Sequence, residues 1–252
     1  MNDVQIVILA AGKSKRMGGD EPKALASLKG KAFLAHILDT VKSLNFPLPP
    51  IVIVGHKKER IFEVFGTENI AHKYGEQTEQ LGTGHALAQS KNHLDENHKT
   101  IMVVSTDQPL ISKETILSIL EKHKQNNNAV TLGTLVLPDF EDWHHGLLHF
   151  GRIIRDANGK VLKNIEYKDA SDEEREIKEV NPAMYAFDSA WLWENIDKLK
   201  NENVQGEYYL TDLIALAVNQ GKNVEAVPLV NILEGIQPNT PEELETLENL
   251  LK

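Results

Sequence analysis

The chain has 252 residues, and its 27 Lys and Arg against 37 Asp and Glu give a formal net charge of −10. This acidic balance argues against nucleic acid as a partner, which requires a basic face, although a few local cations can still hold a phosphate. Cysteine is absent, which excludes disulfides and thiolate chemistry and is typical of a cytoplasmic protein. The longest apolar run, residues 6–11, is far shorter than the ~20 residues of a membrane span, so no membrane partner is expected.

The first half of the chain predicts strands that alternate with helices. Short β-branched runs predict buried strands at Val4–Leu9, Ile51–Val54, Ile101–Val104 and Ala129–Leu137. Apolar residues on one helical face predict a helix over residues 33–44, and another helix is predicted after Ser112 as its N-cap. This alternation indicates an α/β fold with a mostly parallel sheet covered on both faces.

The second half predicts a β-rich part followed by helices. In chain order we expect two strands in residues 147–167, a short charged helix at 171–178, one strand at Val180–Phe187, two helical stretches, a strand near Val224–Pro228 and a final helix. That final helix begins at Thr240, because Thr240 and Glu243 form a capping box with Pro241 at the first helical position. No stretch has the composition of a flexible linker, so we predict a single domain over residues 1–252.

A loop of small residues and cations follows the first predicted strand. Leu9 to Gly12 lead into Lys13, Lys15, Arg16 and Lys23. Open α/β sheets bind ligands at the carboxyl ends of their strands, and small residues let backbone N–H groups approach phosphate oxygens. The spacing matches neither a Walker A loop nor G-x-G-x-x-G. The segment predicts a phosphate site, and the alternative is a solvated basic loop.

A second glycine-containing turn begins a helix. Gly82, Thr83 and Gly84 precede a helical run through Ala88. Glycine permits close approach of a ligand, and a helix N-terminus favours a polar or anionic group. The alternative is an ordinary N-cap at Thr83.

An acidic residue directly follows the third predicted strand. Asp107 therefore lies at the mouth of the predicted sheet. One carboxylate together with substrate phosphates is a usual way to hold Mg²⁺. The alternative is a turn aspartate ahead of Pro109.

Six motifs in order resemble one family. They are Leu9–Lys23, Gln80–Ala86, Asp107, Gly151–Ile153, Ile165–Ala170 and Asn203–Asp212. The chain resembles the uridylyltransferase domain of bacterial N-acetylglucosamine-1-phosphate uridyltransferases, within the nucleoside-diphosphate-sugar pyrophosphorylases. The resemblance runs almost end to end. It implies a Rossmann-like nucleotidyltransferase fold with a nucleotide-binding part at about 1–128 and a β-rich sugar-binding part at about 129–252, and no acetyltransferase domain is expected.

The resemblance also implies a reaction and its residues. UMP would pass from UTP to a sugar 1-phosphate, first of all N-acetylglucosamine 1-phosphate, with Mg²⁺ as cofactor. The catalytic residues would be Arg16, Lys23 and Asp107. The nucleotide would be bound by Leu9, Ala10, Ala11, Gly12, Lys23, Gln77, Gln80, Gly82 and Thr83. The sugar would be bound by Gly151, Glu166, Asn181 and Thr211. The metal would be held by Asp107 and Asn239, the latter preferred over Gln237 because the capping box fixes the helix start.

Three departures from the family keep other readings open. Ser14 and Lys15 replace Gly-Thr, so residues 13–18 resemble loops of cytidylyltransferases and molybdenum-cofactor nucleotidyltransferases. Ser105-Thr106 and Pro182-Ala183 replace a Tyr-Gly and a Thr-Gly. The alternatives are therefore transfer from CTP or TTP, or to another acceptor, and a non-catalytic sugar-nucleotide sensor. No particular oligomeric state is predicted.

Overall fold

The computed structural model describes residues 1–12, 21–67 and 71–252. The elements in chain order are β1 (Val4–Leu9), β2 (Ser27–Leu28), β3 (Lys31–Ala32), α1 (Phe33–Ser43), β4 (Ile51–Val54), α2 (Lys58–Phe65), β5 (Lys73–Glu76), α3 (Thr83–Ala88), β6 (Thr100–Ser105), α4 (Lys113–Gln125), β7 (Val130–Val136), β8 (Gly151–Arg155), β9 (Val161–Ile165), α5 (Asp172–Arg175), β10 (Glu179–Asn181), β11 (Tyr185–Asp188), α6 (Ser189–Asn195), α7 (Asp212–Asn219), β12 (Val224–Pro228) and α8 (Pro241–Leu250). Short 3-10 turns lie at Lys23–Leu25, Lys91–His93, Asp142–Leu147, Ile196–Lys198 and Ile232–Gly235.

All of these strands except β2 and β3 build one mixed sheet in the order β5-β4-β1-β6-β11-β7-β10-β8-β9, with β12 paired to β7. β2 and β3 pair with each other in a separate two-stranded sheet. The pairs among β5, β4, β1 and β6 are parallel, as is β12 with β7. The pairs made by β11, β10, β8 and β9 along this order are antiparallel. The predicted α/β fold with a mixed sheet flanked by helices is confirmed.

Both faces of the sheet are covered, because consecutive side chains of β1 enter different cores. Ile6 and Ile8 pack with residues of α1 and α4. Val7 packs on the other face with residues of α3, α6 and α7. Strands buried on two faces are mostly apolar, and β4 throughout and β1 apart from Gln5 could be recognised in the sequence for this reason. In the part of the chain that the structure describes, no helix combines the length and apolar character needed to cross a membrane.

The predicted single strand over Val180–Phe187 is wrong, because the strand is broken in the middle. Residues up to Asn181 belong to β10, which pairs with β8, whereas β11 begins at Tyr185 and pairs with β6. Pro182 has no N–H to donate to a ladder. Ala183 has a φ of +64°, and its N–H donates to Oδ1 of Asn181 at 2.9 Å instead. The break divides the segment into two strands, β10 and β11, which lie on opposite sides of β7 in the sheet.

The charged helix predicted over residues 171–178 is shorter than expected. Ser171 and Glu174 form a capping box, but the helix ends at Arg175. Residue 178 already extends the ladder, since the N–H of Leu137 donates to the carbonyl oxygen of Lys178 at 3.0 Å. The N–H groups of residues 176 and 177 still donate to the last helical turn, and the sheet takes over at residue 178.

Candidate active site

A cavity of about 660 Å³ lies at the carboxyl ends of β1 and β6 and extends to β8 and β10. The predicted site residues that line it are Leu9, Ala10, Ala11, Gly12, Lys23, Gln77, Gln80, Gly82, Thr83, Asp107, Gly151, Glu166, Asn181 and Thr211. Gln237 lines it as well. Arg16 lies outside the described residues. Motifs far apart in the chain thus meet at one cavity.

Lys23 joins the predicted catalytic carboxylate to the predicted second metal ligand. Its Nζ lies 3.2 Å from Oδ2 of Asp107, which follows β6, and 2.7 Å from Oδ1 of Asn239, which precedes α8. Lys23 itself begins the 3-10 turn after Pro22. One ammonium group, one carboxylate oxygen and one amide oxygen therefore lie together beside the cavity, which Lys23 and Asp107 line and Asn239 does not.

The oxygens around Lys23 fit a magnesium ion. Oδ1 of Asp107 is buried and has no hydrogen-bond partner among the described residues. Asn239 is fixed from two sides, because its N–H donates to Oε2 of Glu243 at 2.6 Å and its Nδ2 donates to the carbonyl oxygen of Gln237 at 2.7 Å. A buried carboxylate oxygen without a donor and a held amide oxygen are the kind of ligand that Mg²⁺ prefers. The side chain of Gln237 instead donates to the carbonyl oxygen of Pro182 at 2.7 Å.

Gln77, which directly follows β5, is held rigidly in another wall of the cavity. Its side chain is 3% exposed, and Nε2 lies 3.0 Å from the carbonyl oxygen of Gly82 and 3.1 Å from Nδ1 of His85. Both amide hydrogens therefore point away from the cavity, which leaves the amide oxygen as the group that can meet a ligand. Gln80 donates to the backbone carbonyl of Gln77 at 3.1 Å and completes this wall.

The turn at Gly82 is clamped by the loop that precedes α7. The N–H of Tyr208 donates to the carbonyl oxygen of Leu81 at 2.8 Å, and the N–H of Gly84 donates to the carbonyl oxygen of Tyr208 at 2.9 Å. Gly82 has a φ of +109°, and a Cβ there would lie 2.7 Å from that carbonyl oxygen. Only glycine lets the two backbones approach this closely. Thr83 adds to the clamp, because its Oγ1 accepts from the N–H of Leu210 at 3.0 Å.

Glu166, which directly follows β9, contributes a partly buried carboxylate to the cavity. Its Oε1 accepts from Oγ1 of Thr211 at 3.0 Å and from Nδ2 of Asn164 at 2.9 Å. Burial raises the pKa of Glu166, and the nearby carboxylates of Asp169 and Asp212 add to the rise, while the two donors oppose it. A carboxylate in such a polar wall is suited to accept hydrogen bonds from the hydroxyls of a neutral polyol.

Several residues that line the cavity were not predicted as site residues. The cavity is also lined by Ala86, Ser105, Thr106, His149, Phe150, Ala183, Tyr185, Gln205, Glu207, Tyr209 and Leu210. The last four lie inside the motif at residues 203–212, which could have pointed to them. His149 lies two residues before the Gly151 motif, which does not include it. Asn164 and Tyr185, which support Glu166 and Asn181 by hydrogen bonds, read as ordinary strand residues.

The chain is similar to known proteins along nearly its whole length. The chain is 38% identical to the bifunctional protein GlmU of Bacillus licheniformis over 98% of the chain and 52% of that protein. It is 35% identical to the one from Streptococcus pyogenes serotype M3, with 98% and 51% covered. It is also 38% identical to the bifunctional protein GlmU of Clostridium acetobutylicum, over 90% of the chain and 48% of that protein. The chain therefore spans about half the length of these relatives.

Solved structures show the same fold at low identity. One is 4-diphosphocytidyl-2C-methyl-D-erythritol synthase from Anaerococcus prevotii, with a TM-score of 0.67, 15% identity and 98% and 97% of the two chains covered. Another is CMP:2-keto-3-deoxy-manno-octonic acid synthetase in complex with CTP, with a TM-score of 0.71, 17% identity and 99% and 98% covered. Residues 6–168, from β1 to just beyond Glu166, match the MobA-like NTP transferase domain. Because that match covers well over half of the chain, the protein belongs to the MobA-like NTP transferase domain family.

Proposed function

We propose that the protein transfers UMP from UTP to a sugar 1-phosphate, with N-acetylglucosamine 1-phosphate as the preferred acceptor, and releases pyrophosphate. The observation that carries this proposal is the composition of one cavity. A cation and a carboxylate lie at one end with the loop Leu9–Gly12, and a hydroxyl-binding carboxylate lies at the other. The order of these groups follows the order of triphosphate and sugar in the reaction.

The proposed chemistry is an in-line displacement at the α-phosphorus of UTP. A phosphate oxygen of the sugar 1-phosphate forms the new O–P bond, and the bond from the α-phosphorus to the oxygen that bridges it to the β-phosphorus breaks. Because the second pKa of a phosphate monoester is about 6, the nucleophile is already largely ionised at pH 7 and requires no general base. Catalysis is then positioning and charge neutralisation.

Each residue has a role in that displacement. Lys23 lies against Asp107 at the cavity and is proposed to neutralise the α-phosphate. Backbone groups of Ala11 and Gly12 cradle the nucleotide where β1 ends. Arg16 is proposed to steady the leaving pyrophosphate.

Asp107 and Asn239 are the proposed ligands of Mg²⁺. When bound, the ion neutralises negative charge on the phosphates. Asp107 supplies the carboxylate and Asn239 an amide oxygen that its hydrogen bonds to Glu243 and Gln237 hold in place. Lys23, which contacts both ligands, keeps a second positive charge next to them.

Gln77 supports uracil rather than cytosine as the base. Its amide nitrogen is engaged by Gly82 and His85, so the oxygen is the part offered to a ligand. In the pose that the family resemblance implies, that oxygen accepts from N3–H of uracil, whereas N3 of cytosine carries a lone pair. A site with a fixed acceptor rejects a base with an acceptor at the same position.

The experiment measures pyrophosphate release by the purified protein with Mg²⁺. UTP, TTP and CTP are each crossed with N-acetylglucosamine, N-acetylgalactosamine and glucose 1-phosphates, with Asp107→Asn as the inactive control. We expect the highest kcat/KM for UTP with N-acetylglucosamine 1-phosphate. A preference for CTP would favour the cytidylyl transfer that residues 13–18 suggest. Tight nucleotide binding without any turnover would favour a sensor.

A further inference from the structure

A chain of buried hydrogen bonds runs behind the sugar end of the cavity. Nδ2 of Asn164 donates to Oε1 of Glu166 at 2.9 Å, and Oδ1 of Asn164 accepts from Nδ2 of Asn181 at 3.1 Å. Oδ1 of Asn181 accepts from the hydroxyl of Tyr185 at 3.1 Å and from the N–H of Ala183 at 2.9 Å. Asn164 is 8% exposed and does not line the cavity, so it acts on a ligand only through its partners.

The sheet register brings these side chains together across a strand. Asn181 of β10 lies opposite Gly151 of β8, and Asn164 of β9 lies opposite Ile153 of the same strand. Asn164 therefore reaches Asn181 over Gly151. A Cβ at position 151 would lie 2.5 Å from Oδ1 and 2.7 Å from Nδ2 of Asn164. Glycine at this position makes room for the Asn164–Asn181 hydrogen bond.

The groups at the two ends of this hydrogen-bond chain, Glu166 and Ala183, determine the direction of every hydrogen bond between them. An ionised Glu166 only accepts, so Asn164 must present its amide nitrogen there and its oxygen to Asn181. At the other end the backbone N–H of Ala183 only donates, so Asn181 must present its oxygen to it. The two requirements agree only if the residue between Glu166 and Asn181 both donates and accepts. Asn164 meets that condition.

We propose that Asn164 is a positioning residue that sets the hydrogen-bonding polarity of the sugar pocket. By orienting Glu166 and Asn181 together, it makes the pocket offer an acceptor oxygen of Glu166 and a donor N–H of Asn181 to neighbouring groups of a polyol. This inference rests on the proposed function, because it assigns the sugar 1-phosphate to this end of the cavity. Nothing in the motifs at residues 151–153 or 165–170 includes position 164.

The ionisation of Glu166 depends on Asn164 and on the groups around it. Asn164→Leu removes a donor that lowers the pKa of Glu166, so Glu166 gains a proton at higher pH than in the wild type. A protonated Glu166 loses acceptor capacity toward the sugar hydroxyls. The other titratable groups that face Glu166 are the carboxylates of Asp169 and Asp212 and the phenols of Tyr185 and Tyr209.

The effect of Asn164→Asp on the pocket should depend on pH in the opposite direction, with the larger disturbance at high pH. At high pH it places a second carboxylate against Glu166, where the wild type has a donor, and the two like charges repel. At lower pH the two carboxylates share one proton. The hydrogen bonds of the wild type are then restored, because a carboxylic acid at this position both donates to Glu166 and accepts from Asn181.

The test compares steady-state kinetics of the wild type, Asn164→Leu and Asn164→Asp from pH 8 to pH 5.5. The control is Asn195→Leu on α6, which removes another buried asparagine whose Nδ2 donates to the carbonyl oxygen of Trp191 at 2.7 Å, away from the cavity. For Asn164→Leu we expect the KM of the sugar 1-phosphate to rise about tenfold at pH 8, with kcat and the KM of UTP within about twofold. Relative to the wild type, the increase in the KM of the sugar 1-phosphate should become larger in Asn164→Leu as the pH falls. In Asn164→Asp the corresponding increase should become smaller.

Several results would overturn the inference. Equal changes in the KM of both substrates, or pH profiles parallel to those of the wild type and Asn195→Leu, would mean that Asn164 only packs the sheet. If Asn164→Leu does not fold, Asn164→Asp carries the test alone, because it keeps the size of the side chain. A wild type that uses none of the sugar phosphates overturns the proposed function, and this inference with it. An active wild type with unaffected variants overturns the inference alone.

Discussion

Gly82→Ala tests whether the nucleotide and sugar ends of the cavity are clamped together. Gly82 is the N-cap of α3 with φ +109° and ψ 176°, a conformation that is nearly exclusive to glycine. The added methyl group would lie 2.7 Å from the carbonyl oxygen and 2.8 Å from the nitrogen of Tyr208. Both atoms are backbone, so no side-chain rotation relieves the clash. The loops at residues 81–84 and 208–210 must separate.

The cost follows from what that separation breaks. Placing a Cβ in this backbone conformation costs about 2 kcal/mol. Each of the two hydrogen bonds between Tyr208 and the Leu81–Gly84 segment, at 2.8 and 2.9 Å, contributes about 1 kcal/mol. We therefore expect Gly82→Ala to lower the free energy of unfolding by about 4 kcal/mol. The KM of UTP should rise, because the carbonyl oxygen of Gly82 holds Gln77, and the KM of the sugar 1-phosphate should rise with it.

Urea denaturation and two-substrate kinetics measure both effects, with Gly221→Ala as the matched control. Gly221 also has a positive φ, +69°, but a Cβ there would meet nothing within 4 Å. The control should cost about 1 kcal/mol and leave both KM values unchanged. The reasoning fails if Gly82→Ala and Gly221→Ala have the same stability and the same kinetics. The close approach of Tyr208 would then contribute to neither stability nor substrate binding.

Three further predictions concern single side chains. Lys23→Met should lower kcat on the order of 10²–10³-fold, with a smaller change in the KM of UTP; a change in KM alone would limit Lys23 to ground-state binding. In Mg²⁺ titrations of initial rates, Asp107→Ala should be nearly inactive and Asn239→Ala should need much more Mg²⁺, whereas Gln237→Ala should stay close to the wild type; the reverse order for the two amides would assign the ligand to Gln237. Burial lowers the pKa of His123 from 6.5 to about 4. Between these pH values the unfolded chain binds a proton at His123 and the folded chain does not, so the free energy of unfolding decreases as the pH drops from about 6.5 to 4. His123→Gln should remove up to about 3 kcal/mol of that pH dependence in denaturation experiments, and identical pH curves for both proteins would contradict the assignment.

The parallel half of the sheet and its loops were predictable because their sequence signals are local. β1 and β4 are buried on both faces, so an apolar run marks each of them, interrupted in β1 only by Gln5. Ligand groups then follow from topology, since the carboxyl ends of parallel neighbours meet at one edge. Gly12 and Asp107 follow strands β1 and β6, which pair with each other, and they line the same cavity.

The cap of the last helix illustrates how a local signal determines where a side chain lies. Counting from Gly235 pointed to Gln237, and counting back from the capping box pointed to Asn239. The helix begins at Pro241, with Oγ1 of Thr240 accepting from the N–H of Glu243 at 3.2 Å. Glu243 also holds the N–H of Asn239, so the cap places the side chain beside Lys23. Cap geometry extends only a few residues, so it determines the position of Asn239, whereas the assignment of Asn239 as a Mg²⁺ ligand stays a prediction.

The broken strand and the polar network behind the sugar end were harder to predict. The apolar pattern of residues 180–187 outweighed Pro182, although a proline inside a run is itself a signal against a central strand. Asn164 gave no signal, because a polar residue in a short strand usually faces solvent. Its partner Asn181 is 17 residues away, and the register that joins them depends on β8, which lies between.

The two predicted parts of the chain depend on each other at the cavity. Tyr208 bonds to the Leu81–Gly84 segment, and Asn239 bonds to Lys23, so the later part of the chain closes both sides of the nucleotide end. Substitutions at these junctions should therefore disturb both substrates together. Substitutions at Gln77 or Glu166, which lie at opposite ends, should disturb one substrate each. The separation of the two KM effects, residue by residue, then distinguishes groups that touch a ligand from groups that hold the two parts together.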